Sequence, residues 1–385
     1  MTPAAWFVLA AGLYLLLQGA RITLLLRELA QQRAVPAVPA VCRVDEVDVL
    51  VPILGGDPAL PQVLGAQLAA LPGVRWHWLL DAGEQETLTL CEALAARQPH
   101  GATPRLWILP PAPDGCNPKL HKLAWVQPAL AGTVVLVLDD DTVLGATGLD
   151  LLLGALSGHA LATGLPRYLV QGGVWSRLLA QFVNDQSGVT YLPLLRCWPA
   201  PSLNGMGYAL RRTTLEACGG FGALRAFLTD DLALAEAVRA RGGEIAQTLA
   251  PLVVCTTMAG PGHWWRQMHR WFLFALLLLP RQQPVVRAAI ASLHGAPPLW
   301  LALALLGAAG SGSWTGLALL LGMRAVLLAC WQHRLWGAVL YRPLLSELTE
   351  LAQPLQLLHA LLVRRIRWRS RRYRVHAADR FEPWP

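Results

Sequence analysis

Two apolar runs of the sequence end in carboxylates, the side chains best suited to proton transfer and metal binding. Asp81 follows Trp76–Leu80, and Asp139–Asp141 follow Val134–Leu138. In a D-x-D arrangement after a buried strand, the first and third carboxylates can hold a hard divalent cation, which neutralises a diphosphate. The same residues also fit a solvated loop in which one Asp caps the next helix, and Asp81 fits a turn as well as a nucleotide contact.

A third acidic site, Asp230-Asp231, comes directly before the helical run Leu232–Arg241. One of the two residues would serve as the N-cap of that helix. In a domain that already has a D-x-D segment, the pair also has the ingredients of a general base.

The chain has only two lysines, Lys119 and Lys122, and both lie in the segment Asp114–Lys122. A turn followed by a helix start, with ammonium groups directed back at the turn, is typical of an anion site. A solvated basic helix face is the alternative interpretation.

The segment His263–Phe272 is rich in tryptophan and arginine. Helical spacing puts Gln267, Arg270 and Trp271 on one side of it, while apolar side chains cover much of the rest. Such a helix belongs at a membrane surface, and a bare interfacial anchor without a chemical role is the alternative.

The elements that must position these residues are short strands and helices in alternation. Four continuous apolar runs are typical of strands buried on both faces of a parallel sheet: Val47–Leu54, Trp76–Leu80, Leu106–Leu109 and Val134–Leu138. Three segments between them have helical spacing: Leu60–Leu71, Glu84–Arg97 and Leu120–Leu130. The alternation predicts a doubly wound, Rossmann-like α/β sheet whose ligand lies beyond the carboxyl ends of the strands.

The composition restricts the class of protein. Hydrophobic residues make up 54% of the chain and charged residues 15%, whereas soluble domains have about 45–50% and 25%. This excludes a disordered chain, a coiled coil and a typical cytosolic enzyme. The net charge of +8 suits anionic partners, and the seven cysteines form no C-x-x-C pair or close cluster, which indicates buried thiols in a reducing compartment.

Apolar segments at both ends of the chain predict membrane helices. Ala4–Leu26 is long enough to span a bilayer, and it lacks the basic start and the cleavage site of the alternative, a signal peptide. Arginines 27, 33 and 43 follow it, so the positive-inside bias places the next segment in the cytoplasm. Ala288–Gly310 and Trp314–Trp331 are further candidate spans.

Leu335–Val363 is longer but carries ionisable residues, which mark either a functional cavity or an interfacial helix, so the C-terminal block has two to four spans. The following segment, Arg364–Arg374, has seven arginines in eleven residues. Anionic lipid headgroups would hold such a segment at about 1 kcal/mol per arginine. Nucleic acid is not expected as a partner beside membrane spans.

These observations predict six parts in the chain: a transmembrane anchor 1–33, a linker 34–44, a cytoplasmic α/β domain 45–262, an interfacial helix 263–284, C-terminal transmembrane or interfacial helices 285–363, and a basic cytoplasmic tail 364–385.

The order of the motifs resembles that of the ceramide glucosyltransferase family, which belongs to the inverting GT-A glycosyltransferases together with cellulose and hyaluronan synthases. The resemblance covers nearly the whole chain. It is carried by Asp81, Asn117-Pro118-Lys119, Asp139-x-Asp141, Asn204-Gly205-Met206-Gly207 with Arg211-Arg212, Gly219-Gly220-Phe221, Asp230-Asp231 and Gln267-x-x-Arg270-Trp271.

The resemblance implies a GT-A fold, a UDP-sugar donor, a Mg²⁺ or Mn²⁺ cofactor and a lipid acceptor. It implies a role for each matched residue: Asp81 at the uracil, Lys119 at the donor, Asp139 and Asp141 at the metal and diphosphate, Asp231 as the base, and Gln267, Arg270 and Trp271 closing the donor and acceptor site. Glucose is the sugar that the family leads us to expect. Ceramide, hopanoid and diacylglycerol all remain as acceptors.

Two other functions remain open from the sequence. A processive polysaccharide synthase has the same motifs but usually more membrane spans. A non-catalytic membrane scaffold or transporter is disfavoured because the acidic motifs cluster outside the spans.

Overall fold

The computed structural model describes residues 2–36, 38–98, 103–368 and 371–384. The chain forms two compact units, each assembled from segments that are distant in sequence. The helical unit comprises Met1–Val35, Val170–Pro199 and Met258–Arg364, and the sheet unit comprises Pro36–Leu169, Ala200–Thr257 and Arg365–Pro385.

The sheet unit is built on eight strands in the order β3-β2-β1-β4-β7-β6-β8-β5. Their bounds are β1 Val47–Pro52, β2 Arg75–Asp81, β3 Arg105–Leu109, β4 Val134–Leu138, β5 Thr142–Leu144, β6 Leu161–Tyr168, β7 Gly207–Arg211 and β8 Ile245–Val254. Strands β1 to β4 pair in parallel, as the apolar runs predict. The other half differs, because β7 runs antiparallel to both β4 and β6, and β5 runs antiparallel to β8. The sheet is therefore mixed rather than parallel throughout.

The core of the sheet unit follows from the apolar strands. All five residues of β4 are fully buried, as are Val49 and Val51 of β1, and they pack against leucines of the flanking helices. The helices of this unit are α2 Leu60–Ala70, α3 Gln85–Ala96, α4 Pro118–Val126, α5 Ala146–Ala155, α7 Arg212–Ala217 and α8 Asp230–Arg239.

Helix α4 begins two residues before the predicted start at Leu120 and ends four residues before the predicted end at Leu130. Asn117 caps its first turn through the side chain, and Pro118 takes the first helical position, where a missing N–H costs nothing. At the other end the chain passes into a 3-10 turn, Gln127–Ala129, which contains Pro128.

The helical unit contains the predicted membrane segments. Its helices are α1 Pro3–Ala34, α6 Val174–Tyr191, α9 Pro261–Leu278, α10 Pro284–Ile290, α11 Ala296–Ser311, α12 Trp314–Trp336 and α13 Leu345–Leu362, with a π-helical segment, Ala291–Gly295, joining α10 to α11. Within the described ranges, three helical stretches are long and apolar enough to cross a bilayer: Pro3–Ala34, Pro284–Ser311 and Trp314–Trp336. They indicate association with a membrane.

The expected long segment Leu335–Val363 is not one helix. Helix α12 ends at Trp336 because Gly337 adopts a left-handed conformation, with φ 68°, and α13 starts only at Leu345. Two ionisable residues of this region, Glu347 and Glu350, are paired inside the unit. Arg324 of α12 lies 2.7 Å from the carboxylate of Glu350 and 3.2 Å from that of Glu347.

The arginine-rich C-terminal segment, expected as a basic tail, is folded. It forms a three-stranded antiparallel sheet, here called the C-terminal sheet, with strands β9 Arg365–Trp368, β10 Arg371–Ala377 and β11 Arg380–Pro383. Tyr373 and Val375 point into the protein, whereas Arg372 and Arg374 alternate with them and are exposed. Arg369 and Ser370 lie outside the described residues.

Candidate active site

The first part of the site lies where β1 and β2 end. Asp81 is the last residue of β2, and its carboxylate lies 2.9 Å from the Nζ of Lys122 on α4. The same ammonium group donates a hydrogen bond of 2.8 Å to the carbonyl of Ile53, just beyond β1. The Lys122 side chain is 1% exposed, so the ion pair is rigidly held by the sheet and by α4.

The Asn117 side chain fixes the start of α4. Its Oδ1 accepts hydrogen bonds from the backbone N–H of Lys119 at 2.9 Å and of Leu120 at 3.2 Å. Its Nδ2 donates to the carbonyls of Phe227 and Leu228, both at 3.0 Å. One side chain thereby caps the helix and holds the segment that leads to Asp230.

Lys119 connects three parts of the site. Its Nζ lies 2.8 Å from the carboxylate of Asp139, 2.9 Å from that of Asp230, and 2.8 Å from the carbonyl oxygen of Gly205. Burial alone would lower the pKa of Lys119, but the two carboxylates outweigh it and hold the pKa well above its usual value. The ammonium group therefore stays charged and bridges Asp139, after β4, to Asp230, at the start of α8.

Asp231 has a different environment from its neighbour. The N-cap of α8 is Thr229, so Asp230 and Asp231 are the first helical residues, and the N–H of Leu232 donates to Asp231 Oδ1 at 2.8 Å. Burial, followed by repulsion from Asp230, raises the pKa of Asp231 to about 7. A carboxylate with a pKa near neutrality is suited to accept a proton from a substrate.

The three consecutive acids after β4 have three different environments. Asp139 pairs with Lys119, and the Asp140 carboxylate accepts a hydrogen bond of 2.6 Å from the N–H of Leu54. The Asp141 carboxylate accepts a 3.0 Å hydrogen bond from the hydroxyl of Thr142. Burial, and after it the carboxylates of Asp139 and Asp140, raise the pKa of Asp141 to about 8.

This crowding of negative charge is what a divalent cation would relieve. Among the described residues, no three or more His, Cys, Asp or Glu side chains approach as metal ligands do. Mg²⁺ needs no such cluster, since one or two carboxylates and the phosphates of a substrate commonly hold it. Asp139 and Asp141 therefore fit a metal that is completed by a bound diphosphate.

Two acidic residues that the sequence did not single out also shape this edge of the sheet. Asp57 accepts hydrogen bonds from the N–H of Ala59 at 2.9 Å and of Thr257 at 2.8 Å. Glu84 accepts one of 3.0 Å from the N–H of Gly55. These three partners are backbone groups in irregular segments, so no residue spacing in the sequence predicts the contacts.

Gln267, Arg270 and Trp271 lie in the helical unit, on α9. Arg270 donates a hydrogen bond of 2.9 Å to the Oε1 of Gln267, as the i, i+3 spacing predicts. The Trp271 ring stacks on Phe182 of α6, with centroids 6.2 Å apart. The structure thus brings Asp81, Lys119, Asp139, Asp141 and Asp231 together in the sheet unit, while these three residues form a set of their own.

The family of the chain is decided by the extent of its sequence match. The sequence model of Glycosyl transferase family 21 matches residues 8–381. The chain belongs to this family. Its glycosyltransferase activity and its membership of the ceramide glucosyltransferase family, both expected from the motifs, are thereby confirmed. No curated protein sequence matches the chain.

The chain is similar to solved structures of other glycosyl-transferring enzymes. A mannosyltransferase from Pyrobaculum calidifontis, in complex with GDP-mannose and Mn²⁺, is 18% identical with a TM-score of 0.58, and the match covers 92% of this chain and 99% of that one. A glucosyl-3-phosphoglycerate synthase from Mycobacterium tuberculosis, in complex with Mg²⁺ and UDP, is 20% identical over 60% of this chain and 76% of that one, with a TM-score of 0.35. The likeness to the mannosyltransferase confirms the expected GT-A fold.

Proposed function

We propose that this family 21 glycosyltransferase transfers a hexose, in the first place glucose, from a UDP-sugar to the hydroxyl of a membrane lipid, with inversion at the anomeric carbon. The observation that carries the proposal is the Lys119 bridge between Asp139 and Asp230, because it links the acidic motif after β4 to the motif that contains the half-buried Asp231. The three apolar helices support an acceptor that resides in the bilayer.

The donor would bind along the carboxyl ends of β1, β2 and β4. Asp81, held by Lys122, would contact the uracil. Asp139 and Asp141 would hold Mg²⁺ or Mn²⁺ together with the diphosphate, and the cation would stabilise the negative charge on departing UDP. Lys119, permanently charged, would fix Asp139 in place and add positive charge near the leaving group.

Asp231 would act as the general base. The acceptor oxygen attacks the anomeric carbon, the bond to the UDP oxygen breaks with its electron pair leaving on UDP, and the hydroxyl proton moves to the Asp231 carboxylate. A single displacement of this kind inverts the anomeric centre and requires no covalent nucleophile. The pKa of about 7 allows Asp231 to be ionised before attack and protonated after it.

The sheet unit would lie on the cytoplasmic side, because Arg27 and Arg33 follow the first apolar segment. We further propose that Gln267, Arg270 and Trp271 take part in donor and acceptor binding, as the family resemblance implies. The amphipathic helix α9 would lie along the cytoplasmic leaflet, so that the lipid never has to enter bulk water.

The test is a transfer assay with defined substrates. Membranes containing the protein are incubated with labelled UDP-glucose, UDP-galactose or UDP-N-acetylglucosamine in the presence of ceramide, hopanoid or diacylglycerol, and the products are separated by chromatography. We expect one labelled lipid that carries a single sugar in the β-configuration, and no product with Asp231→Asn. A labelled polymer, or an α-linked product, would contradict the proposal.

A further inference from the structure

The C-terminal sheet touches a loop that leads into the active site. From β10, the guanidinium group of Arg371 donates hydrogen bonds to the carbonyls of Ala112 and Pro113, the latter at 3.3 Å. The same group lies 3.9 Å from the carboxylate of Asp114. The loop that Arg371 holds ends at Asn117, the cap of α4.

The C-terminal sheet also touches a second loop. The carbonyl of Ala378, between β10 and β11, accepts a hydrogen bond of 2.9 Å from the N–H of Leu228. Ala378 is buried, so water does not compete for this bond. Leu228 comes two residues before Asp230 and three before Asp231.

The two loops are bound to each other through Asn117. Its backbone N–H donates to the carbonyl of Arg225 at 2.8 Å, and its side chain donates to the carbonyls of Phe227 and Leu228. A closed ring of hydrogen bonds results, from the C-terminal sheet to the first loop, through Asn117 to the second loop, and back to the C-terminal sheet.

The ring leads directly to the residues proposed to perform the transfer. Lys119 follows Asn117 by two residues, and Asp230 follows Leu228 by two. The Lys119–Asp230 ion pair therefore joins two residues that directly follow members of the ring. The Asp81–Lys122 pair, in contrast, is anchored on β2 and on the carbonyl of Ile53. Disturbing the ring should therefore affect the transfer step more than the binding of the nucleotide.

We propose that the C-terminal sheet is a positioning element for the transfer reaction and that Arg371 is its key positioning residue. The inference rests on the proposed function of Asp231 and Lys119. It assigns to this arginine a role inside the protein, in place of the contact with anionic lipid that the charge of the segment suggests. A displacement of about 1 Å at reacting groups can reduce the rate about a hundredfold. Losing the Arg371 contacts should therefore have a measurable effect even though Arg371 does not touch the substrate.

Arg374 provides a matched control. It lies on the same strand and carries the same charge, but it is exposed. Replacing either residue by methionine removes one positive charge and keeps an unbranched side chain. A decrease in kcat that both variants share would come from the lost charge. A decrease in kcat confined to Arg371→Met would come from the lost contacts with Ala112 and Pro113.

The experiment uses the full-length protein in nanodiscs, with kcat and the dissociation constant of UDP measured separately. For Arg371→Met we expect kcat to fall at least about tenfold, with the UDP dissociation constant changed less than about threefold. Arg371→Lys keeps several N–H donors and should recover part of kcat. Arg374→Met should stay within about twofold of the wild type in both quantities.

Hydrogen–deuterium exchange provides a readout that does not depend on transfer. In Arg371→Met, amides of residues 112–117 and 225–228 should exchange faster than in the wild type, while those of Val47–Pro52 should not change. If the wild type glycosylates no lipid, the proposed function fails, but this exchange pattern still tests the ring. Unchanged exchange with normal kcat in Arg371→Met would overturn the inference. If kcat falls equally in both methionine variants, and falls further as the anionic lipid content of the nanodiscs rises, the segment contacts the membrane instead.

Discussion

At the scale of single residues, neighbouring aspartates of this site have different partners, and their environments differ as a result. Asp230 and Asp231 are adjacent in the chain, yet Asp230 is paired with Lys119 while burial and Asp230 raise the pKa of Asp231 to about 7. Among the acids after β4, the Asp139 carboxylate pairs with the same lysine and the Asp141 carboxylate accepts from the hydroxyl of Thr142. One ammonium group thus neutralises one member of each acidic motif and leaves the other available.

The pH dependence of transfer tests the role of Asp231. A general base must be ionised, so kcat should rise with pH through an apparent pKa of about 7, the value for the buried carboxyl, and then level off. Asp231→Asn should remain folded and bind UDP-sugar, with kcat reduced by about 10²–10⁴-fold. Rate measurements from pH 5 to 9 check this. If the kcat of Asp231→Asn is within a few-fold of the wild-type value, Asp230 rather than Asp231 would be the base.

The substitution Asp141→Asn tests the proposed role of this residue in binding a divalent cation. The substitution preserves volume and replaces a carboxyl whose ionisation is opposed by burial and by Asp139 and Asp140, so the protein should fold at least as well as the wild type. Transfer should be lost, because the diphosphate would no longer share a cation with this carboxylate. Titration of the purified protein with Mn²⁺ in the presence of UDP, followed by paramagnetic broadening, measures metal binding directly. Full activity of the wild type in excess chelator would contradict the metal role.

At the scale of elements, helix α9 owes its conformation to contacts with its neighbours in the helical unit. Trp271 stacks on Phe182 of α6, and the ring nitrogens of His269 on α9 and His359 on α13 lie 2.8 Å apart. Trp264 and Met268 are buried on the remaining face. The segment Gln267–Trp271 is therefore presented by a helix that is fixed on several sides, and an isolated amphipathic anchor would lack these contacts.

Substitutions on both sides of the aromatic stack test this element. Trp271→Ala should reduce lipid glycosylation much more than UDP-sugar binding, because the ring is proposed to contact the acceptor. Phe182→Leu should show an intermediate loss, since it keeps an apolar contact but removes a stacking interaction of about 0.5–1.5 kcal/mol. Transfer rates at saturating UDP-sugar with increasing lipid measure the effect. Equal activity of all three proteins would exclude a role for the stack.

At the scale of the whole molecule, each unit combines three segments that are distant in the chain. Helix α1 packs against α11 and α12, and Gly307 of α11 leaves room for the backbone of Phe7, from which an added Cβ would be only 2.8 Å away. The hydroxyl of Tyr14 donates to Glu350 of α13 at 3.1 Å. The N-terminal helix is thus a packed member of the helical unit, whereas the sequence suggests a separate anchor.

The buried ion pair of the helical unit should govern its stability. Arg324→Met leaves Glu350 without its cation in a buried position, which typically costs about 3–5 kcal/mol. The double variant Arg324→Met, Glu350→Gln should recover much of this loss, because the more deeply buried of the two carboxylates that Arg324 pairs with is then neutral. Arg334→Met, at an exposed position near the end of α12, is the control and should be close to neutral. Thermal unfolding in detergent compares the four proteins, and equal midpoints for Arg324→Met and Arg334→Met would contradict the expectation.

Elements with local signals can be located from the sequence alone. Continuous apolar runs located β1 to β4, and for β4 the predicted and observed bounds are the same. Length and hydropathy located the long apolar helices, and spacing along the chain placed the acidic motifs at strand ends. These features depend on residues within one turn or one strand of each other, so the order of residues along the chain is sufficient to predict them.

The pairing of charges, in contrast, follows from tertiary contacts. Asp139 and Asp230 are 91 positions apart, and their shared partner Lys119 follows from the packing of α4 between two loops. The mixed strand directions of β5 to β8 and the folding of the arginine-rich segment also come from the tertiary structure, because strand direction and ion pairing depend on contacts between distant segments. A run of arginines has the same appearance in a sequence whether lipid headgroups or backbone carbonyls receive its hydrogen bonds, and in this protein the carbonyls of Ala112 and Pro113 receive those of Arg371.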